Sequence, residues 1–198
     1  MTTLPDRADI VIIGGGIVGC SVAYHLTKLG LNDVVLFERK QLTCGTTWHA
    51  AGLVGQLRAS KNMTRLAQYS TELFANLAAE TGQETGYQAT GSITLALNAE
   101  RLEELKRQAT MANAFNVACE LIGPDFVQDR WPGIDTSDVH GGVYLPGDGQ
   151  TNPVDTTLAL AKGARSAGAK IFENTPVQRL AIENGQVIGV YLDGDTLV

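Results

Sequence analysis

Gly14, Gly16 and Gly19 stand at G-x-G-x-x-G spacing, just after a short β-branched run at residues 9–13 and just before an apolar helical stretch. At a strand-to-helix junction the first glycine permits the turn, the second admits a pyrophosphate and the third lets helix and strand pack closely. The first helical residues, Ile17 and Val18, then offer backbone N–H groups and the positive end of a helix dipole to phosphate oxygens. Nineteen positions beyond Gly19 comes Glu38, followed by Arg39. A carboxylate there accepts hydrogen bonds from adenosine ribose hydroxyls and repels a 2′-phosphate, so the dinucleotide expected is FAD or NAD and not NADP. The glycines alone do not divide those two.

Other side chains have chemistry to offer. His49 lies in a run of small residues, Thr46-Thr47-Trp48-His49-Ala50-Ala51-Gly52, and a neutral imidazole is nucleophilic near neutral pH. The plain alternative is that it packs on Trp48 or bonds a loop carbonyl. The Arg58 guanidinium suits a substrate carboxylate, against the alternative of a solvated or ion-paired arginine. Tyr69 falls on a helical stripe and is expected to pack. His25 and His140 have no partners at metal-ligand spacing, so no metal is expected. The residues themselves identify no catalytic acid or base.

The elements that must position these groups follow from periodicity. A strand at 9–13, a helix from Ile17 to Leu29 closed by Gly30, and a strand from Asp33 to Glu38 make one βαβ unit with parallel strands. Residues 39–60 read as a loop or irregular helix. A helix is expected over Lys61 to Glu80 with Gly82 ending it, a strand over Gly91–Leu97, a helix over Ala99–Ala118 and a strand over His140–Leu145. Pro153 opens a helix to about Ala167, closed by Gly168, before a strand at Lys170–Glu173. Val177–Ile182 and Gln186–Leu192 flank Asn184-Gly185 as a tight hairpin.

The composition narrows the function classes. With 198 residues, 44% of them hydrophobic, the chain can bury a real core. Fifteen basic against 21 acidic residues, without a basic run, argue against a nucleic acid partner. The first apolar run is too short to span a membrane, and Cys20, Cys44 and Cys119 have no paired spacing, so a soluble cytoplasmic protein is expected.

The segment Cys44-Gly-Thr-Thr-Trp-His-Ala-Ala-Gly52 resembles the flavin-contacting loop of the FAD-dependent D-amino-acid oxidase superfamily. Thr46 to Leu53 is most similar to the dimethylglycine and sarcosine dehydrogenase family. Further similarity lies in Gly55-Gln56-Leu57-Arg58, the helix with Tyr69, Thr90-Gly91-Ser92-Ile93 and Pro146-Gly147-Asp148-Gly149.

The resemblance implies FAD as cofactor, contacted by Thr46, Thr47, Trp48, His49, Ala51 and Gly52, with the Val177 backbone against the adenine. It implies covalent attachment of the flavin 8α-methyl carbon to His49. It also implies oxidation of a small N-methyl amine with hydride transfer to flavin N5, the electron acceptor being unspecified. A non-covalent FAD amino-acid oxidase, or a non-catalytic homologue like the pyruvate dehydrogenase phosphatase regulatory subunit, would carry much of the same pattern.

The fold expected is α/β: a Rossmann-like FAD-binding domain, 1–80 with 150–198, interleaved with part of an α+β substrate domain, 81–149. Complete members of the family continue well past this length. The chain is therefore expected to be a truncated portion, with a partner chain or further sequence completing the fold.

Overall fold

A computed structural model describes residues 3–198. In chain order it contains β1 (Ile10–Ile13), α1 (Ile17–Lys28), β2 (Val34–Phe37), a 3-10 turn (Thr47–His49), β3 (Leu53–Val54), α2 (Lys61–Thr81), β4 (Ser92–Ala96) and α3 (Ala99–Ala114). Then follow β5 (Glu120–Ile122), α4 (Pro124–Arg130), β6 (Gly141–Leu145), β7 (Gly149–Gln150), α5 (Pro153–Ser166), β8 (Lys170–Phe172), β9 (Arg179–Glu183) and β10 (Gln186–Tyr191). The chain divides into two compact units, residues 1–52 with 76–86 and 152–198, and residues 53–75 with 87–151. These cuts differ from the expected 1–80 and 81–149: the first fifteen residues of α2 group with the second unit, and its last six with the first.

The first unit is built on a parallel sheet in the order β1-β2-β8. Ile10 faces Val34 and Ile13 faces Phe37 across one ladder, while Phe37 faces Phe172 across the other. β2 is central, so all four of its residues are buried, as an apolar strand covered on both faces requires. α1 turns Cys20, Ala23, Tyr24 and Thr27 inward, the three- and four-residue spacing of one helical face. The α5 start is fixed by Asn152, whose Oδ1 accepts from the N–H groups of Val154 and Asp155, with Pro153 in the first turn.

The β9–β10 hairpin completes this unit. Its Asn184 and Gly185 both have positive φ, +50° and +78°, the conformation a two-residue turn of this hand needs. Val190 from its second strand and Leu192 just beyond it join Val35, Phe37 and Phe172 in one apolar cluster.

The second unit has an antiparallel sheet in the order β4-β6-β5, with Leu105, Ala109 and Ala112 of α3 buried against Ala96, Val143 and Leu145. Here the sequence expectation needs correction. α3 stops at Ala114 and does not reach Ala118, because Phe115 caps it and Asn116 turns the chain with φ +58°. The next residues enter β5 and α4, which periodicity did not reveal. A three-residue strand with one buried side chain and a seven-residue helix are too short to display a period. The two-residue pair β3 and β7, antiparallel, escaped notice for the same reason.

Leu105 is fully buried in the second core, so Leu105→Ala is expected to destabilise that unit by about 2–5 kcal/mol. Leu121→Ala, at a site 56% exposed, should cost about 0.5 kcal/mol or less. Denaturant melts of the two variants check both values; equal losses would contradict this assignment of the core.

Candidate functional site

The glycine turn is held from several sides. The Gly14 N–H donates to Phe37 O at 2.8 Å, and Gly15 O accepts from the Thr43 N–H at 3.0 Å and from the Cys20 thiol at 3.7 Å. Gly14 has φ +107°, a region glycine enters without steric cost. A Cβ on Gly19 would lie 2.0 Å from Gly14 O, so the third glycine is what lets α1 approach the end of β1. Burial pushes the Cys20 thiol up to about 12, which outweighs the nearby Arg165 and leaves it a packing and hydrogen-bonding group.

Glu38 closes the turn from β2. Its Oε2 accepts from the Gly15 N–H at 2.7 Å, and its Oε1 accepts from the Lys40 N–H at 2.9 Å and the Cys44 thiol at 3.5 Å. Burial by itself would raise this carboxyl, but the hydrogen bonds from Gly15, Lys40 and Cys44, helped by the charge of Arg39, hold it below the ordinary carboxylate range. Glu38 is therefore a fixed anion at the mouth of the turn.

A cleft of about 360 Å³ opens here, and Gly14, Gly16, Glu38, Arg39, Thr46, Thr47 and Val177 all contribute to its wall. Seven residues separated by up to 163 positions in sequence thus meet at one concavity. A larger cleft of about 510 Å³ lies between the amino-terminal segment, β1 and the hairpin. It contains none of the three motif glycines and no Glu38, so chemistry and not size selects the smaller one.

The 3-10 turn is tied directly to this cleft, because the buried Thr47 hydroxyl accepts from the Ile17 N–H at 3.1 Å. The N–H groups of Gly16, Val18 and Gly19 have no acceptor among the described residues. That set of free donors at a helix start is what a pyrophosphate accepts from, and the Thr47 hydroxyl retains its own proton to donate. The residues present therefore fit a dinucleotide diphosphate with a ribose at Glu38.

The other expected residues fall outside the cleft wall. Val18 is 73% exposed at the start of α1. Trp48 and His49 are exposed, with ring centroids 3.7 Å apart and planes tilted by 33°. Ala51 is exposed and Gly52 buried with φ +76°.

Arg58 belongs to the second unit, where its Nη1 donates to Leu57 O at 2.9 Å and its backbone exchanges hydrogen bonds with the Thr64 hydroxyl. Tyr69 is 47% exposed and not packed away as its stripe position suggested. The His25 ring bonds within α1 to Ser21. No group of three or more His, Cys, Asp or Glu side chains among the described residues is placed to hold a metal ion, and no described helix is long and apolar enough to cross a membrane.

Three residues have roles that the sequence did not reveal. Gly15 occupies a variable position of the motif, yet a Cβ there would come 2.9 Å from Glu38 Cβ and 2.4 Å from Leu42 Cδ2; three consecutive glycines were the available signal. Cys44 reaches Glu38, which spacing could not show. In the second unit the buried Asp148 accepts from the Gln56 N–H at 2.8 Å and the Ser92 hydroxyl at 2.6 Å. It thereby joins the Gly55-Gln56 and Pro146–Gly149 segments, which the sequence had flagged separately.

The chain is 44% identical over 179 residues to human mitochondrial dimethylglycine dehydrogenase, a match covering 90% of this chain and 21% of that protein. It is 42% identical over 190 residues to the mouse mitochondrial pyruvate dehydrogenase phosphatase regulatory subunit, covering 96% and 22%. Among solved structures, the L-proline dehydrogenase of P. horikoshii superposes with a TM-score of 0.90 at 32% identity, over 97% of this chain and 50% of that one. The chain thus spans about a fifth of the length of these curated relatives. The profile of the FAD dependent oxidoreductase family matches residues 9–197, so the chain belongs to that family.

Proposed function

We propose that this chain is the FAD-binding portion of an enzyme that oxidatively demethylates an N-methyl amino acid of the dimethylglycine or sarcosine type. The observation that carries this is the Thr47–Ile17 hydrogen bond, which fastens the histidine-bearing turn to the diphosphate end of the cleft. Glu38 would hold the adenosine ribose of a dinucleotide seated there, and the N–H groups at the start of α1 its diphosphate. FAD held there would supply a hydride acceptor for the N-methyl carbon, and the resulting iminium would hydrolyse to formaldehyde and the demethylated amine.

In this reading the first unit carries FAD, with Gly14, Gly16, Gly19, Glu38, Arg39, Thr46, Thr47 and Val177 as its contacts, and the second unit holds part of the substrate layer. His49 is the attachment point for the flavin. The three free thiols suit a reducing compartment such as the cytoplasm. Turnover is expected only with the remainder of such a protein present, on the same chain or on a partner chain.

A second reading is a non-catalytic regulatory protein that keeps the cofactor site, favoured by the 42% identity to the phosphatase regulatory subunit. Turnover of sarcosine or dimethylglycine with an artificial electron acceptor separates the two. Bound FAD without turnover in the complete protein would select the regulatory role.

Precipitation of the flavin-loaded protein with acid is expected to leave flavin absorbance in the pellet, and His49→Ala to move it to the supernatant. Flavin that stays in the pellet with His49→Ala would defeat the attachment at this residue.

Glu38→Gln is expected to weaken FAD binding about 10- to 100-fold, since it removes charge-assisted hydrogen bonds, measurable by quenching of flavin fluorescence. The same variant has a pH signature. Because the folded carboxyl is held low, its contribution to stability is present above the ordinary carboxylate pKa of about 4.3 and is lost as pH falls through the lower folded value. Wild-type stability should therefore fall more steeply in that acid range than that of Glu38→Gln.

A further inference from the structure

We infer that Glu173 is a positioning residue for the dinucleotide cleft: its carboxylate holds residues 40–44 over the glycine turn in a backbone conformation that this segment would not keep unaided. This rests on the cofactor reading of that cleft.

Residues 40–44 lead from the end of β2 into one wall of the cleft, where Cys44, Gly45, Thr46 and Thr47 lie. Thr43, within this segment, is buried and has φ +70°. The left-handed region crowds the Cβ of any residue but glycine, and a β-branched side chain is a genuine outlier there. Such a conformation persists only where surrounding groups over-determine it.

The groups that hold it lie on two sides. On one is the turn itself: the Thr43 N–H donates to Gly15 O at 3.0 Å, and Leu42 comes so close that a Cβ on Gly15 would lie 2.4 Å from its Cδ2. On the other is the chain just after β8. The Leu42 N–H donates to Glu173 Oε2 at 2.9 Å, and the Asn174 N–H donates to Lys40 O at 2.7 Å. Glu173 is 131 positions from Leu42 in sequence, so this bond fastens the segment to the exit of the parallel sheet.

The carboxylate is itself oriented. Arg165, in the last turn of α5, donates from Nη2 to Glu173 Oε1 at 3.3 Å, which leaves Oε2 to Leu42. The side chains of that pair are 43% and 34% exposed, so the pair contributes little by itself. The Leu42 bond counts for more, because it sets a charged acceptor on the amide of a residue that is 5% exposed. An N–H buried without its acceptor keeps its desolvation penalty. Without Glu173, opening of the segment would hydrate that N–H and release Thr43 from its left-handed backbone. Both changes would withdraw residues 44–47 from the cleft wall.

The test uses ADP, the part of a dinucleotide that the glycine turn and Glu38 would take, titrated by calorimetry into the complete, flavin-free protein. Glu173→Ala is expected to weaken ADP binding about tenfold or more. Glu173→Gln, whose amide oxygen can still accept from Leu42, and Arg165→Gln, which breaks the exposed pair, should stay within about threefold of wild type. Thr43→Gly, since glycine takes positive φ without steric cost, should restore most of the affinity lost in Glu173→Ala. Hydrogen exchange supplies a second readout. The Thr43 amide bonds to Gly15 and not to Glu173, yet in Glu173→Ala it should exchange about tenfold faster or more, while the Val35 and Leu36 amides of β2 keep their rates.

Wild-type ADP affinity in Glu173→Ala, or an equal loss in Glu173→Gln, overturns the positioning role. Exchange that quickens equally in β2 also overturns it, by showing a general loss of stability in place of a local opening. No recovery with Thr43→Gly overturns the part assigned to Thr43. A wild type that binds no ADP removes the cofactor reading of the cleft and the role of Glu173 with it.

Discussion

The hydrogen bond from the Gly15 N–H to Glu38 Oε2, 2.7 Å long, joins the turn that follows β1 to the end of β2, where Glu38 forms part of the cleft wall. A buried carboxylate without donors would be too costly to keep charged. Three donors from the surrounding backbone and thiol make it cheap instead, and they fix its position. The glycine that supplies the nearest N–H must also lack a side chain, since a Cβ there would collide with Glu38. The charge, the missing side chain and the parallel pairing of β1 with β2 are thus one arrangement.

Thr47 extends this arrangement to the histidine turn. Its hydroxyl takes the Ile17 N–H, so the short 3-10 turn is held at a defined place relative to α1. Loops are where functional groups are commonly presented, and a rigid scaffold beneath them sets their geometry. In the second unit Asp148 acts similarly, drawing Gln56 and Ser92 to one buried carboxylate.

Much of the first unit was legible because its signals are local. The β-branched run at 9–13, the glycine spacing, the inward stripe of α1 and the Asn184-Gly185 turn each declare an element within a few residues. Gly30, Gly82 and Gly168, all with positive φ, marked three helix ends in the same way. β5 and α4 were not legible: three and seven residues give no period, and their Ile122 and Val127 are buried with Tyr144 of β6 and with Ile93 and Leu95 of β4, which are distant in sequence. The end of α3 was misplaced because helical propensity continues through Val117–Ala118, while Asn116 breaks the helix by a backbone turn that propensity does not encode.

By itself the sequence determined that a glycine turn of the dinucleotide-binding type is present, that a carboxylate follows it at the spacing expected of a ribose partner and that the histidine segment resembles a flavin loop. These follow from residue type at fixed short spacing. The tertiary structure alone decided that Thr47 reaches the helix start, that Cys44 and Lys40 share Glu38, that Val177 reaches the same cleft and that the His49 ring lies against Trp48. Those are relations between groups brought together by sheet pairing and by the course of a loop, and no periodicity along the chain specifies where a loop will close.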